Sequence, residues 1–330
     1  MKDIILYLMK FIGLFWLTRK TIQHKTLILS YHGFEVLNES SFRPKLFIKG
    51  TTLEKRLQYL RKHCNVIKLK NLGGDSKLLN SVVITIDDGW ASTLTIAEPL
   101  FKQFDFPYTL YLPTENVLNN QPVFHVLIDY ILLHSIGKTL SLLTERGNIN
   151  GQKVSVENIP RIKEEIDQLK VKELDTELLL TISKSLDLDI KPIIDEKVFT
   201  LMSIDEVKEI VKLGADIQLH THSHFTYLEN KDSFTREILL NQHHIENIVG
   251  IRPIHHCYPS GSYNNQCIDW LKPLGIETAT TCLPGFCDET SNKLTLPRFL
   301  DGENISQIVF EAEVSGVLEL FRGIKKAMGR

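Results

Sequence analysis

The sequence predicts an α/β fold, a barrel of about seven parallel strands that carries a helical insertion. Three observations point there. Short apolar runs rich in β-branched residues recur along the chain, as in LILSY at 27–31 and VVITI at 82–86. Stretches with apolar residues at helical spacing lie between such runs, the alternation that yields parallel pairing. From about Val123 to Lys197 the strand signals cease and the patterning reads as helical.

Taken in order, the elements begin with an apolar stretch at 4–17, interrupted by Lys10. As a helix it would rise about 21 Å, short of the roughly 30 Å hydrocarbon core of a bilayer. Asp3, Tyr7 and Lys10 fall on one narrow face, and Arg19, Lys20 and Lys25 follow. No cleavage site of small residues marks a secretory signal. Residues 1–25 therefore read as an amphipathic helix lying in a membrane interface, with a helix packed on the domain as the alternative. The run at 27–31 is a buried strand. Residues 51–63 form a helix with a Thr cap and Leu53, Leu57 and Leu60 on one face. The strand at 82–86 stops at Asp87-Asp88-Gly89, a helix follows at 91–104 and a strand at 108–112. The insertion, about 118–198, holds apolar (126–143) and charged amphipathic (162–186) helical stretches and belongs to the surrounding domain of residues 26–310.

Alternation then resumes. Helices are expected at 204–213, 233–249 and 264–274, with strands at 215–219, 254–257 and 277–281 and a last strand at 294–298. The tail reads as helical from 305, its final part (311–330) a basic helix with Arg322, Lys325, Lys326 and Arg330.

Composition narrows the function classes. The chain has 330 residues, 43% hydrophobic and 24% charged, enough for a sizeable core. A net charge of -2 and the lack of a long basic run exclude nucleic acid as a partner. The five cysteines form no C-x-x-C pair and are odd in number, which fits reduced thiols in a cytoplasmic protein.

The chemistry-bearing clusters each follow an expected strand, where parallel α/β folds build their sites. The first is Thr85-Ile86-Asp87-Asp88-Gly89. Adjacent carboxylates are costly to bury unless paired or metal-bound, and successive side chains diverge, so one can bind metal while the other faces substrate. The alternative is a solvated turn. The second is His220-Thr221-His222-Ser223-His224. Imidazole and carboxylate suit Zn²⁺ and similar ions. One turn of backbone aims His220 and His224 at one ion and His222 elsewhere; the alternative is a polar loop. The third, Tyr258-Pro259-Ser260-Gly261-Ser262-Tyr263, reads on physical grounds alone as a turn. His243-His244 reads as a helix-surface feature and His255-His256 as partly core.

In this order, TIDDG, HTHSH and YPSGSY resemble the motifs of the polysaccharide deacetylase family (NodB homology domain, carbohydrate esterase family 4), across roughly 27–115 and 200–310. The resemblance implies a distorted (β/α) barrel. It implies one divalent ion, Zn²⁺ first with Co²⁺, Ni²⁺ or Mn²⁺ also suitable, held by Asp88, His220 and His224. It implies Asp87 as catalytic base, acting on an N-acetyl amide of an amino sugar in a polysaccharide, oligosaccharide or lipid-linked glycan. Tyr258, Pro259, Ser260 and Gly261 would line the substrate groove, with a backbone N–H near Tyr258 to Ser260 facing the acyl oxygen. Two departures stand out. Many members carry Arg where this chain has Cys257, and the late Leu-x-His motif has no clear match. Arg298, in Leu296-Pro297-Arg298-Phe299, is the candidate replacement for that arginine. His32, in Tyr31-His32-Gly33, is a candidate for polar chemistry in the pocket. A deformylase, an O-acyl esterase or a silent glycan-binding homologue remain as alternatives. The partners expected are the acylated sugar and a membrane surface, with no protein partner inferable. The expected location is the cytoplasmic face of a membrane, the alternative an anchored, extracytoplasmic protein.

Overall fold

The apolar runs pair in parallel. In the computed structural model, which describes residues 2–72, 78–119, 122–145, 147–169 and 176–328, Thr26–Tyr31 and Ser81–Asp87 run side by side from Thr26↔Ser81 to Tyr31↔Ile86. Every residue of Ser81–Asp87 is buried, and so is Thr26–Tyr31 beyond its first residue. Strands covered on both faces need apolar side chains at every position, which is why these runs do not alternate.

The main sheet is ordered Thr278–Thr280, His255–Cys257, Asp216–Leu219, Thr109–Leu112, Ser81–Asp87, Thr26–Tyr31, Phe286–Cys287. Asn65–Ile67 adds beside Ser81–Asp87, and Phe299–Leu300 beside Thr26–Tyr31. Among the described residues only Phe286–Cys287 pairs antiparallel in this sheet. The last strand differs from expectation: Phe299–Leu300 takes the place of 294–298. Pro297 has no N–H to donate and interrupts the ladder. Leu296 instead makes a parallel bridge to Thr280, donating to Ala279 O at 2.8 Å and accepting from Thr281 N at 2.9 Å. The segment from Leu296 to Leu300 thereby joins one edge of the curled sheet to the other. The result is a distorted (β/α) barrel of mostly parallel strands.

The chain forms two compact units, residues 1–115 with 204–330, and 116–203. The first holds the barrel. The second is not wholly helical, as the sequence suggested. Its helices Phe124–Leu133, Ile159–Leu169 and Thr176–Ser185 accompany an antiparallel pair, Thr139–Thr144 with Gly147–Lys153. Leu140 and Leu142 are buried while Thr139, Ser141 and Leu143 are exposed. That period of two was hidden in a leucine-rich run that also fits a helix.

At the N-terminus one expected helix is two, Lys2–Phe11 and Leu14–Ile22. Gly13 between them has φ 84°, a left-handed conformation glycine adopts without steric cost. The tail is likewise two helices, Gln307–Val314 and Val317–Ala327. Leu6, Phe15, Ile308, Val309, Ala312 and Val317 form a buried cluster among these four helices.

Candidate active site

The two carboxylates and the histidines lie at or just past the C-terminal ends of barrel strands, and Arg298 precedes the strand Phe299–Leu300. Asp87 closes Ser81–Asp87, Cys257 closes His255–Cys257, His32 follows Tyr31, and His220 follows Leu219. Parallel strands bring these ends to one rim.

The rim holds Asp88, His220 and His224 together. Asp88 Oδ1 lies 3.4 Å from His220 Nε2 and 3.2 Å from His224 Nε2. His220 is aimed by its other nitrogen: Nδ1–H donates to Cys257 O at 2.9 Å, leaving Nε2 to face Asp88. His220 is buried, whereas the His224 side chain is 40% exposed and gives the cluster an open side. Burial opposes the charge on the Asp88 carboxyl, but the His224 and His220 imidazoles outweigh it and hold the group well below its ordinary value. The same pairing raises His220 against the effect of its own burial.

These residues fit a divalent ion. Trp90 Nε1 donates to Asp88 Oδ2 at 3.1 Å, while Asp88 Oδ1 is buried with no hydrogen-bond partner. A buried carboxylate oxygen without a donor is costly unless something else occupies it. Tetrahedral coordination with bonds of about 2.0–2.1 Å requires donor atoms about 3.3 Å apart, close to the two distances here. The backbone is held in unfavourable conformations around the same cluster. Asp88 (φ 70°), Thr221 (φ 61°) and His224 (φ 58°) are left-handed without being glycine, and such strain persists only where surrounding contacts enforce it.

A second arrangement surrounds Asp87. Arg298, fully buried, grips it with both terminal nitrogens, Nη1 to Oδ1 at 2.7 Å and Nη2 to Oδ2 at 2.8 Å. The guanidinium is itself anchored, donating to Thr281 O at 3.0 Å and Thr85 Oγ1 at 3.2 Å. Cys257 Sγ lies 3.0 Å from Nη2. Arg298 thus reaches the carboxylate from a different strand end, beside the cysteine where the family resemblance led us to expect an arginine. Burial alone would push the Asp87 carboxyl up, but Arg298 more than offsets it and holds the group at about 2. His32 Nε2 stands 3.7 Å from Asp87 Oδ2, and Ser30 Oγ donates to the same oxygen at 3.3 Å. Asp87, His220 and Cys257 also bring ligand-type atoms together. They make a poor cation site, because Arg298 already occupies the carboxylate and burial pushes the Cys257 thiol well up.

The third motif needs correction. The Tyr258 side chain is buried rather than lining a groove; its hydroxyl donates to Leu294 O at 3.2 Å and its ring stacks on Tyr263. Pro259 is buried as well, and Ser260 and Gly261 are the members that reach the surface. The Tyr258 N–H donates to Thr280 O, and proline has no N–H, so of the three expected oxyanion donors Ser260 remains. Gly261 has φ 67°, and a Cβ there would meet Cys282 Cβ at 2.8 Å.

Asn241 is the supporting residue that sequence reasoning missed. It is buried on helix Lys231–Val249, accepts from His220 N at 2.9 Å, and donates to Leu112 O at 2.9 Å and Thr114 Oγ1 at 3.2 Å. The signal was present: with Phe234, Ile238 and Ile245, Asn241 lies on the buried stripe of its helix, where an amide requires a polar partner. His222 does point elsewhere, Nδ1 meeting Thr114 Oγ1 at 2.9 Å and the ring stacking on His244. His255 and His256 are both buried.

Residues 183–279 match the family model for polysaccharide deacetylase, a stretch that includes His220, His224 and Cys257. Over this stretch the chain is similar to that family. No curated protein matches it by sequence. Among solved structures, the Streptococcus pyogenes deacetylase PplD in complex with acetate is similar with a TM-score of 0.57 at 16% identity, over 90% of this chain and 98% of that one. The de-N-acetylase from Aggregatibacter actinomycetemcomitans gives 0.56 at 15% identity, covering 88% and 99%. IcaB from Ammonifex degensii gives 0.55 at 14%, covering 88% and 97%. At these identities the likeness establishes the barrel fold, shared along nearly the whole length of each protein.

Proposed function

We propose that the protein hydrolyses the N-acetyl amide of an amino sugar in a glycan, releasing acetate and the free amine, with a divalent ion held by Asp88, His220 and His224. The observation that carries this is the convergence of Asp88 Oδ1, otherwise unpartnered, with two imidazole Nε2 atoms at the open end of the barrel. An ion bound there would polarise the acyl carbonyl and lower the pKa of a water. Zn²⁺ suits the donor set best.

The protein's own groups supply the rest. Asp87 adjoins the ligand set, and the Arg298 guanidinium keeps its carboxyl ionised at neutral pH, so it can accept the proton of the attacking water. The two-pronged grip of Arg298 fixes the direction in which that carboxylate faces, as an arginine fork does better than a lysine. His32, beside Asp87 and outside the ligand set, is the group we assign to protonate the leaving amine. We assign the Ser260 N–H to the acyl oxygen, where negative charge would develop. We assign the substrate to a polysaccharide, an oligosaccharide or a lipid-linked glycan. We assign the site of action to the cytoplasmic side of a membrane, which five free thiols support.

The test is mass spectrometry of N-acetylated nucleotide-, lipid- and oligosaccharide-linked sugars after incubation with metal-loaded protein. Loss of an acetyl mass with appearance of acetate is expected. A formyl loss, an ester cleavage or no turnover on any acylated sugar overturns the assignment. For the side of action, protease added outside intact cells is expected to leave the protein whole, and cleavage from outside overturns that placement.

A further inference from the structure

The two N-terminal helices are amphipathic in an unusual direction. Ile4, Leu8, Phe11, Ile12, Trp16 and Leu17 point away from the protein, with exposures from 54% at Leu17 to 89% at Phe11. Single exposed apolar side chains are ordinary, but a run of them on adjacent turns marks an interaction surface. The opposite faces are committed. Leu6 and Phe15 are buried against Ile308, Val309, Ala312 and Val317, and the Lys10 ammonium pairs with Glu311. The apolar face is therefore held outward by packing, and Lys10 is tied to the protein rather than interrupting that face.

Helix Val317–Ala327 packs against Leu14–Ile22 and extends the surface with exposed Leu320, Ile324 and Met328. Lys325 and Lys326 are exposed beside them, and Lys20 lies over the Trp16 ring. Other basic residues expected at this edge are engaged by neighbouring side chains. Arg19 donates to Tyr59 and meets His63, Lys25 pairs with Asp288, and Arg322 pairs with Glu313 and Glu319; Arg330 lies outside the described residues. The basic rim is thus Lys20, Lys325 and Lys326.

We propose that this face docks on the surface of a bilayer containing anionic lipid, with Lys2–Phe11 and Leu14–Ile22 lying in the plane of the interface. Neither helix can cross: they rise about 15 and 14 Å against a hydrocarbon core of roughly 30 Å, and no described helix is long and apolar enough to span. Aromatic Tyr7 and Trp16 among aliphatic residues, with lysines at the margin, is the composition of an interfacial helix. A second copy of the chain fits less well. Between two copies of this face the rim lysines of both would add like charge at one seam, whereas anionic headgroups complement them.

The experiment is sedimentation of the full chain with vesicles of phosphatidylcholine, with and without phosphatidylglycerol. The wild type is expected to pellet with the anionic vesicles. Phe11→Ser, Ile12→Ser and Trp16→Ser together should lower the partition coefficient by roughly 1000-fold or more, since each removes a large apolar side chain from the bilayer. Lys20→Gln, Lys325→Gln and Lys326→Gln together should weaken binding to the anionic vesicles and leave the neutral ones unaffected. Quenching by brominated lipid of the fluorescence lost in Trp16→Phe should be seen in the otherwise wild-type chain, which keeps the test independent of how the triple variants fold. Wild-type protein staying in the supernatant, or no quenching, overturns the proposal. So does a lipid-free dimer, seen by sedimentation equilibrium, that the triple serine variant abolishes. Metal content is read in parallel, so that failure of membrane binding is distinguished from failure of the deacetylase reading.

Discussion

Replacing Arg298 with Met tests how the barrel sustains a buried carboxylate. Met keeps much of the volume and removes the charge. Asp87 is held at about 2, down from an ordinary 3.8, which at about 1.36 kcal/mol per pH unit corresponds to a native preference for the ionised form on the order of 2 kcal/mol. Removing one member of a buried pair strands the other, and the usual cost is about 3–5 kcal/mol, a large part of a total stability of about 5–15 kcal/mol. The dependence on pH follows. In the wild type the folded value is depressed, so this contribution is present above 3.8 and is lost as pH falls toward about 2. In Arg298→Met the burial of Asp87 has no counter-charge, and its folded value rises above the unfolded one. That group then favours the fold only while protonated, and its contribution is lost as pH rises through the new value. The stability gap between wild type and variant should therefore be wide at pH 7 and narrow toward pH 4. Asp87→Asn in the Arg298→Met background should recover part of the loss. Urea unfolding of metal-free protein across that pH range measures it. A gap that stays constant with pH, together with no recovery from the second substitution, would refute the reasoning.

Three further outcomes are expected. His220→Ala or His224→Ala should lose most of about one bound divalent ion per chain, measured by elemental analysis after dialysis, and unchanged content in both would remove the ligand assignment. Asp87→Asn should retain the ion and lose about 10²–10⁴-fold in turnover, the usual worth of a general base, so wild-type rates would show that Asp87 is not the base. Asn241→Ala should cost about 1–3 kcal/mol by leaving the His220 N–H and Leu112 O unpaired, and should also weaken metal affinity; a stable variant with normal affinity would show that Asn241 does not position His220.

What the sequence determined by itself is local. Continuous apolar runs announce strands buried on both faces, because burial demands apolar side chains at every position. Asp87 with Asp88, and His220 with His224, are legible because each pair lies within a few residues and its spacing alone brings the side chains to one rim. The tertiary structure decided everything that depends on where a distant part of the chain returns. Arg298 and Asp87 are separated by 211 residues; the family resemblance named Arg298 as the candidate for the missing arginine, but nothing local to either residue announces the contact, and a buried arginine has the same sequence signature as an exposed one until its partner is known. The inward turn of Arg19 and Tyr258, the pairing of Lys25 with Asp288, and the break at Gly13 are of the same kind. Each is set by packing against elements remote in sequence, and side-chain direction is fixed by those neighbours rather than by residue type.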